Sequence, residues 1–257
     1  MRYQLLAMTV ILSFLQPLGA AHPGALGTTL WAQGAQPAPR TEAERQRAVN
    51  QLAFERSLNE AARANGGTFT VEYDMNTAWR VRPRNVQEMV DSSPLIVVGT
   101  VQSAGPRPTR DGRMIETVYS VVVTDTLKGD PRSAVTVRIP GGRVAFPDGA
   151  VAEVLTPGFA LQTGGTYALF LRPAPTGVGT DPDDAAQGVQ VLSVGPQGVI
   201  DVSRGRVQSL ARPDNAIRAQ HDGRDAKGFL QDVRAQARRA VAGERQEKPH
   251  APITADL

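Results

Sequence analysis

The chain has 257 residues, of which 41 % are hydrophobic, so there is enough apolar material for a real core. With 25 Gly and 19 Pro it carries more turn formers than a helix bundle tolerates, and turn-rich β structure is expected. A formal charge of +3, from 28 cations against 25 anions, falls short of the basic footprint that a nucleic-acid binder shows.

Arg2, the apolar or small run from Leu5 to Leu15, and Pro17 followed by Gly19, Ala20 and Ala21 have the layout of a Sec-type signal peptide over 1–21. The run is far short of the ~20 residues that span a bilayer. Cleavage is expected at Ala21 or, at a second small-residue site, at Ala35. The mature protein is then periplasmic or secreted, with no transmembrane anchor. With no cysteine, neither lipidation nor disulfides are available, and stability rests on packing alone.

Residues 22–40 lack periodicity and read as a flexible leader. From 41 to 94 a helix plus hairpin extension is predicted. Thr41 and Glu44 have capping-box spacing, Val49, Leu52 and Ala53 form an apolar stripe, and Gly66 and Gly67 stop the helix. Thr68–Tyr73 and Ala78–Arg82 are β-rich runs around Asp74, Met75 and Asn76, which suggests a hairpin with Trp79 as a packed ring. Val86, Met89 and Val90 make one helical turn that Ser93 and Pro94 end.

Over 95–203 many short strands follow. Leu95–Val101 is nearly continuously apolar around Gly99, and Thr117–Thr126 alternates through Tyr119, Val121 and Val123. Between them Gly105–Gly112 reads as a solvated loop. Ala134–Ile139 alternates until Gly141 and Gly142 break it. Arg143–Phe146 and Val151–Leu155 flank a Pro147–Gly149 turn, Thr166–Leu171 follows Gly164 and Gly165, and Val189–Val194 and Val199–Val202 complete the set. Such strands at regular spacing point to a small barrel or sandwich, whose closure removes exposed edges. A basic segment and C-terminal helix occupy 204–243. Asp225 is the N-cap, Phe229, Val233, Ala237 and Val241 form the stripe, and Gly243 is the stop. Residues 244–257 read as a disordered tail. The fold class is therefore mainly β, a small OB-like β-barrel with flanking N- and C-terminal helices.

Val97, Val98, Gly99 and Val101, then Leu127, Lys128 and Gly129, then Gly164, Gly165, Tyr167, Leu169, Phe170 and Leu171 resemble the netrin-like or TIMP-like module. That module is an OB-like barrel with flanking helices, and similar sequences occur in exported bacterial proteins. The resemblance covers about Met89 to Val202. Inhibitors of the TIMP type chelate a protease zinc through an N-terminal Cys and rely on disulfides. This chain has no Cys, so the resemblance implies the fold and not that mechanism.

Chemistry-bearing residues are sparse. Of three His, His22 lies at the signal boundary and His250 in the tail, which leaves His221 in a turn before the last helix, read as a surface residue. No nucleophile elbow occurs, and neither zinc ligands nor an EF-hand pattern is present. Asp181, Asp183 and Asp184 read as a solvated loop, and Gly141 and Gly142 as turn glycines rather than a phosphate cradle. Aromatics are only 5 %, with Tyr119, Tyr167 and Phe170 on faces expected to fill the core, so a stacking platform for nucleic acid is not expected. No catalytic, cofactor-binding or metal-binding residue is assigned. The expected function is an exported, non-catalytic binding or interaction module of unknown ligand, with another envelope or secreted protein as the candidate partner. One alternative is an exported enzyme using Asp125, Glu153 or Asp201 as acid or base, and another is a protease inhibitor working unlike TIMP. Val10→Asp, a charge at the centre of the short apolar run, should block export. Fractionation with N-terminal sequencing checks this, and an uncleaved Met1 in cytoplasmic wild-type protein would contradict the export reading.

Overall fold

The computed structural model describes residues 57–73, 82–175, 184 and 187–247. The signal, the leader, Thr41, Trp79, His22, His250, Asp181 and Asp183 lie outside these residues. Within them the protein is mainly β, with helices on both sides of the barrel sequence.

Five strands close a ring. They are β2 (Leu95–Pro108), β3 (Ile115–Lys128), β4 (Ala134–Pro140), β7 (Thr166–Pro173) and β8 (Gln190–Leu192). Around the ring the order is β2, β3, β4, β8, β7 and back to β2, with β4 and β8 parallel and every other pair antiparallel. A five-stranded ring of this kind is an OB-like barrel. On the free half of the same edge of β7, strand β9 (Val199–Asp201) pairs beside β8, and β10 (Gln208–Ser209) pairs with β9.

The ring closes because its walls carry apolar side chains on the inner face. Leu95, Val97 and Val101 of β2 meet Tyr119 and Val121 of β3, Val135, Val137 and Ile139 of β4, and Tyr167, Leu169 and Leu171 of β7 in one buried cluster. The intervening residues Ile96, Val98, Ala168 and Phe170 point the other way, into a second core beneath the helices α2 (Val86–Asp91), α3 (Ala216–His221) and α4 (Ala226–Glu247). Strands buried on both faces read as continuous apolar runs, and this accounts for Leu95–Val101 and Thr166–Leu171 in the sequence.

A second sheet, not hydrogen-bonded into the barrel ring, packs against the far ends of β2 and β3. Strand β6 (Val151–Leu155) pairs antiparallel with β5 (Gly142–Ala145) and parallel with β1 (Thr68–Glu72). With helix α1 (Leu58–Ala64), this sheet encloses a third cluster of Leu58, Ala61, Phe69, Val71, Ile115, Ala152 and Val154. The sequence reading placed Arg143–Phe146 and Val151–Leu155 in the barrel. They form the expected hairpin but belong to this sheet, because Gly141 (φ 114°) and Gly142 (φ 133°) turn the chain off β4 in a backbone region closed to other residues. Likewise β1 takes β6 as its partner, and most of the expected second arm, Ala78–Arg82, lies outside the described residues.

Other boundaries shift for local reasons. The helix before Gly66 starts at Leu58, because Ser57 and Glu60 form a complete capping box that sets a new N-terminus there. Strand β2 runs on through Gly105, Pro106 and Pro108, which were read as loop. Its far half pairs only with β3, and an edge tolerates proline. Asp225 caps α4, its carboxylate accepting from the Gly228 amide at 2.7 Å, as the sequence indicated. The helix then continues past Gly243 to Glu247, and Val241 at the end of the stripe is exposed rather than packed.

Gly99 marks the tightest approach in the wall. A Cβ there would stand 2.6 Å from both Val121 Cγ1 and the Val122 carbonyl oxygen, at a register shift between β2 and β3. Gly99→Ala should therefore cost about 1–3 kcal/mol, whereas Gly105→Ala, with open space around it, should leave the urea midpoint nearly unchanged. Equal midpoints for the two variants would refute this packing.

Candidate functional site

The least ordinary constellation lies on the outer wall of β3 and β4. Because Val135, Val137 and Ile139 face inward, Arg138 must face out, and the pairing of β3 with β4 sets Val118 opposite it. Glu116, two residues along the same face of β3, places Oε2 3.1 Å from Arg138 Nε. On the other side of β3, Arg107 of β2 stands in register with Glu116. Asp184, from the segment between β7 and β8, completes the group. Its Oδ1 accepts from Arg107 Nη2 at 2.7 Å, and its Oδ2 pairs with Arg138 Nη1.

The four charges balance, but they are unequally covered. Side-chain exposure is 3 % for Asp184, 6 % for Arg138, 15 % for Glu116 and 40 % for Arg107. Arg138 Nε lies close to Glu116 without the alignment of a hydrogen bond, so the guanidinium is held mainly through Asp184. Burial pushes the Glu116 carboxyl above its ordinary pKa. Arg138 and Arg107 offset this in part, and Asp184 and Asp111 add to it. Asp184 is thus a buried acceptor for two arginines and not the solvated loop residue of the sequence reading. Its own carbonyl accepts from the Val189 amide at 2.9 Å.

A second feature is a shallow cleft of about 310 Å³ where the β9–β10 turn meets the α3–α4 turn, lined by Asp201, Arg204, Arg206, Gln208, Asp222 and Gly223. Its acids are engaged internally. Asp201 accepts from the Ser203 amide at 2.8 Å, and Asp222 accepts from the Ser209 amide at 2.7 Å and pairs with Arg218 at 3.0 Å. Two arginines against two aspartates give this cleft no net charge preference.

The other candidates do not converge. Asp125 pairs with Arg234 of α4. Asp201 lies three strands away across β2, β7 and β9, on the order of 14 Å by strand spacing. Glu153 belongs to the separate sheet, opposite Arg143. His221 ends α3, which the sequence reading missed, and packs half-buried with its ring 5.4 Å from that of Phe229. Burial, then the neighbouring Arg224, holds its imidazole below the ordinary histidine pKa. Among the described residues no three His, Asp or Glu side chains gather as metal ligands would, and no helix is long and apolar enough to cross a membrane.

Sequence reasoning missed Arg107, Glu116 and Arg138, because Arg107 lies in the stretch read as a solvated loop, Glu116 precedes the expected strand, and Arg138 alternates with apolar residues as a solvated strand face does. Only their register across three strands reveals the cluster. No family model matches this chain, and no curated protein matches it significantly.

The cluster predicts a pH signature. The folded protein holds the Glu116 proton more tightly than the unfolded chain does, so this group's contribution to stability is greatest in acid and declines as pH rises from the ordinary carboxyl range. The melting temperature of the wild type relative to Glu116→Gln should therefore fall between about pH 4 and pH 7. A constant or rising difference would contradict the burial of this carboxyl.

Proposed function

We propose that the protein is an exported, non-catalytic binding or interaction module that engages another envelope or secreted protein through the outer wall of β3 and β4. The observation that carries this reading is the distribution of cover. The barrel interior is filled by side chains, and α2, α3 and α4 cover β2, β7, β9, β10 and the Leu127 end of β3. Val118, Ser120, Val122 and Thr136 on the β3–β4 wall remain half-exposed, beside the buried charge cluster. These are the second and third strands of the ring, the face on which OB-type barrels commonly hold ligands. Kinship with netrin-like or TIMP-like modules is part of the same proposal and adds only fold-level support. The carboxylate-enzyme alternative has weaker support, because Asp125, Glu153 and Asp201 stand on separate surfaces.

The test is capture from envelope extract by the mature protein. Ser120 and Thr136 are paired across β3 and β4, and Ser120→Arg with Thr136→Glu adds bulk to the wall while keeping opposite charges opposed. Wild type should retain a partner that the double variant loses, with unchanged circular dichroism. Equal capture by both proteins would move the interaction surface elsewhere.

A further inference from the structure

We propose that Arg107 and Arg138 form a carboxylate-recognition subsite at the end of the β3–β4 wall, occupied in the free chain by Asp184, and that the partner presents an acidic segment whose Asp or Glu side chain takes its place. This rests on the binding-module reading above and names the chemistry of the partner.

Three observations support it. First, the two guanidinium groups come from strands on either side of β3 and converge on one carboxylate, which is supplied from outside those strands. Each takes a different oxygen of Asp184, so the contact has the divided geometry with which arginines read a free carboxylate. Second, the site without Asp184 counts two cations and the Glu116 anion. A net charge of +1 matches one carboxylate and leaves one charge of a phosphate dianion uncompensated. Glu116 stays 3.1 Å from Arg138 Nε as a remaining countercharge while the carboxylates exchange. Third, the cover is uneven in a useful way. Asp184 and Arg138 are shut away from water, whereas Arg107 is 40 % exposed. An incoming carboxylate meets Arg107 first and then displaces Asp184 from it.

The energetics favour exchange over loss. Emptying the subsite would leave Arg138 buried and without its principal partner, which is strongly unfavourable. Replacing one carboxylate by another keeps every charge paired, so the competition is decided by the remaining contacts of the partner along Val118, Ser120 and Thr136. Asp184 thereby sets a threshold: a lone carboxylate gains little over it, and an acidic segment lying along the wall gains more.

The test uses the mature full chain and fluorescence anisotropy with a labelled hexa-aspartate peptide, hexa-asparagine serving as the neutral control. Asp184→Asn keeps the shape of the side chain and removes its charge. It should bind hexa-aspartate about tenfold more tightly than wild type, because the competing state is weakened. The gain should disappear in Asp184→Asn with Arg107→Gln. A folded Asp184→Asn that binds no better than wild type, or a gain that survives Arg107→Gln, would overturn the proposal. So would an equal response of wild type and Asp184→Asn to succinate with no added gain for the peptide. If Asp184→Asn does not fold, wild type decides. Millimolar hexa-aspartate should speed hydrogen exchange at the Val189 amide, which is bonded to the Asp184 carbonyl, and hexa-asparagine should not. Unchanged exchange would overturn the subsite. Retained partner capture from extract alongside these negative results would leave the binding-module reading intact and remove only the acidic-segment assignment.

Discussion

The pairing of β2 with β7 is the constraint on which the rest of the structure depends. From Leu95 to Thr100 each residue of β2 is matched to one of β7 between Leu171 and Thr166, and both strands are apolar on both faces. Such a pair cannot stand at a surface. Its inner face requires the ring to close through β8, which brings Leu192 and the interior cluster together. Its outer face requires helices, and Met89, Val90, Ile217, Phe229 and Val233 supply them. The two cores are therefore two sides of one wall, and a change at Gly99 or Phe170 is felt on both.

Once that wall is covered, the β3–β4 side of the barrel is left half-open, and the surplus length of β2 and β3 reaches beyond the ring. The second sheet docks against this extension, with Ile115 of β3 buried in its cluster. The charge group sits where the barrel wall passes into that extension. Burial of Asp184 and Arg138 is weak support for stability in itself, since desolvation offsets much of the attraction. Its clearer consequence is specificity of position, because Asp184 ties the connection between β7 and β8 to β2 and β4. The same contact gives the open wall one end with defined chemistry.

Much of the fold was legible in the sequence because burial on two faces and burial on one leave different patterns. Leu95–Val101 is continuous and Thr117–Thr126 alternates, and the structure places the first beneath the helices and the Thr117–Val122 part of the second along the open wall, with Asp125 paired to Arg234 of α4. The Asp225 cap and the Phe229, Val233, Ala237 stripe were equally direct. What escaped was long-range. Nothing local in Val151–Leu155 says that its partners are β5 and β1 rather than a barrel strand. Nothing local in Arg138 says that a carboxylate 46 residues later will cover it. An aspartate in a stretch rich in Gly, Pro and Asp reads as solvated loop, and only tertiary contact shows Asp184 to be buried. The site was thus hardly legible, since its members come from three strands and a connection.

Native-state hydrogen exchange at increasing denaturant tests the central claim most directly, namely that the doubly buried β2–β7 wall organises the molecule. The account predicts that amides of β2 between Val97 and Thr100 and of β7 exchange only through global unfolding, after those of β5, β6 and the far half of β2 have opened locally. Loss of protection in β2 or β7 at denaturant concentrations that leave α4 and the second sheet protected would contradict it.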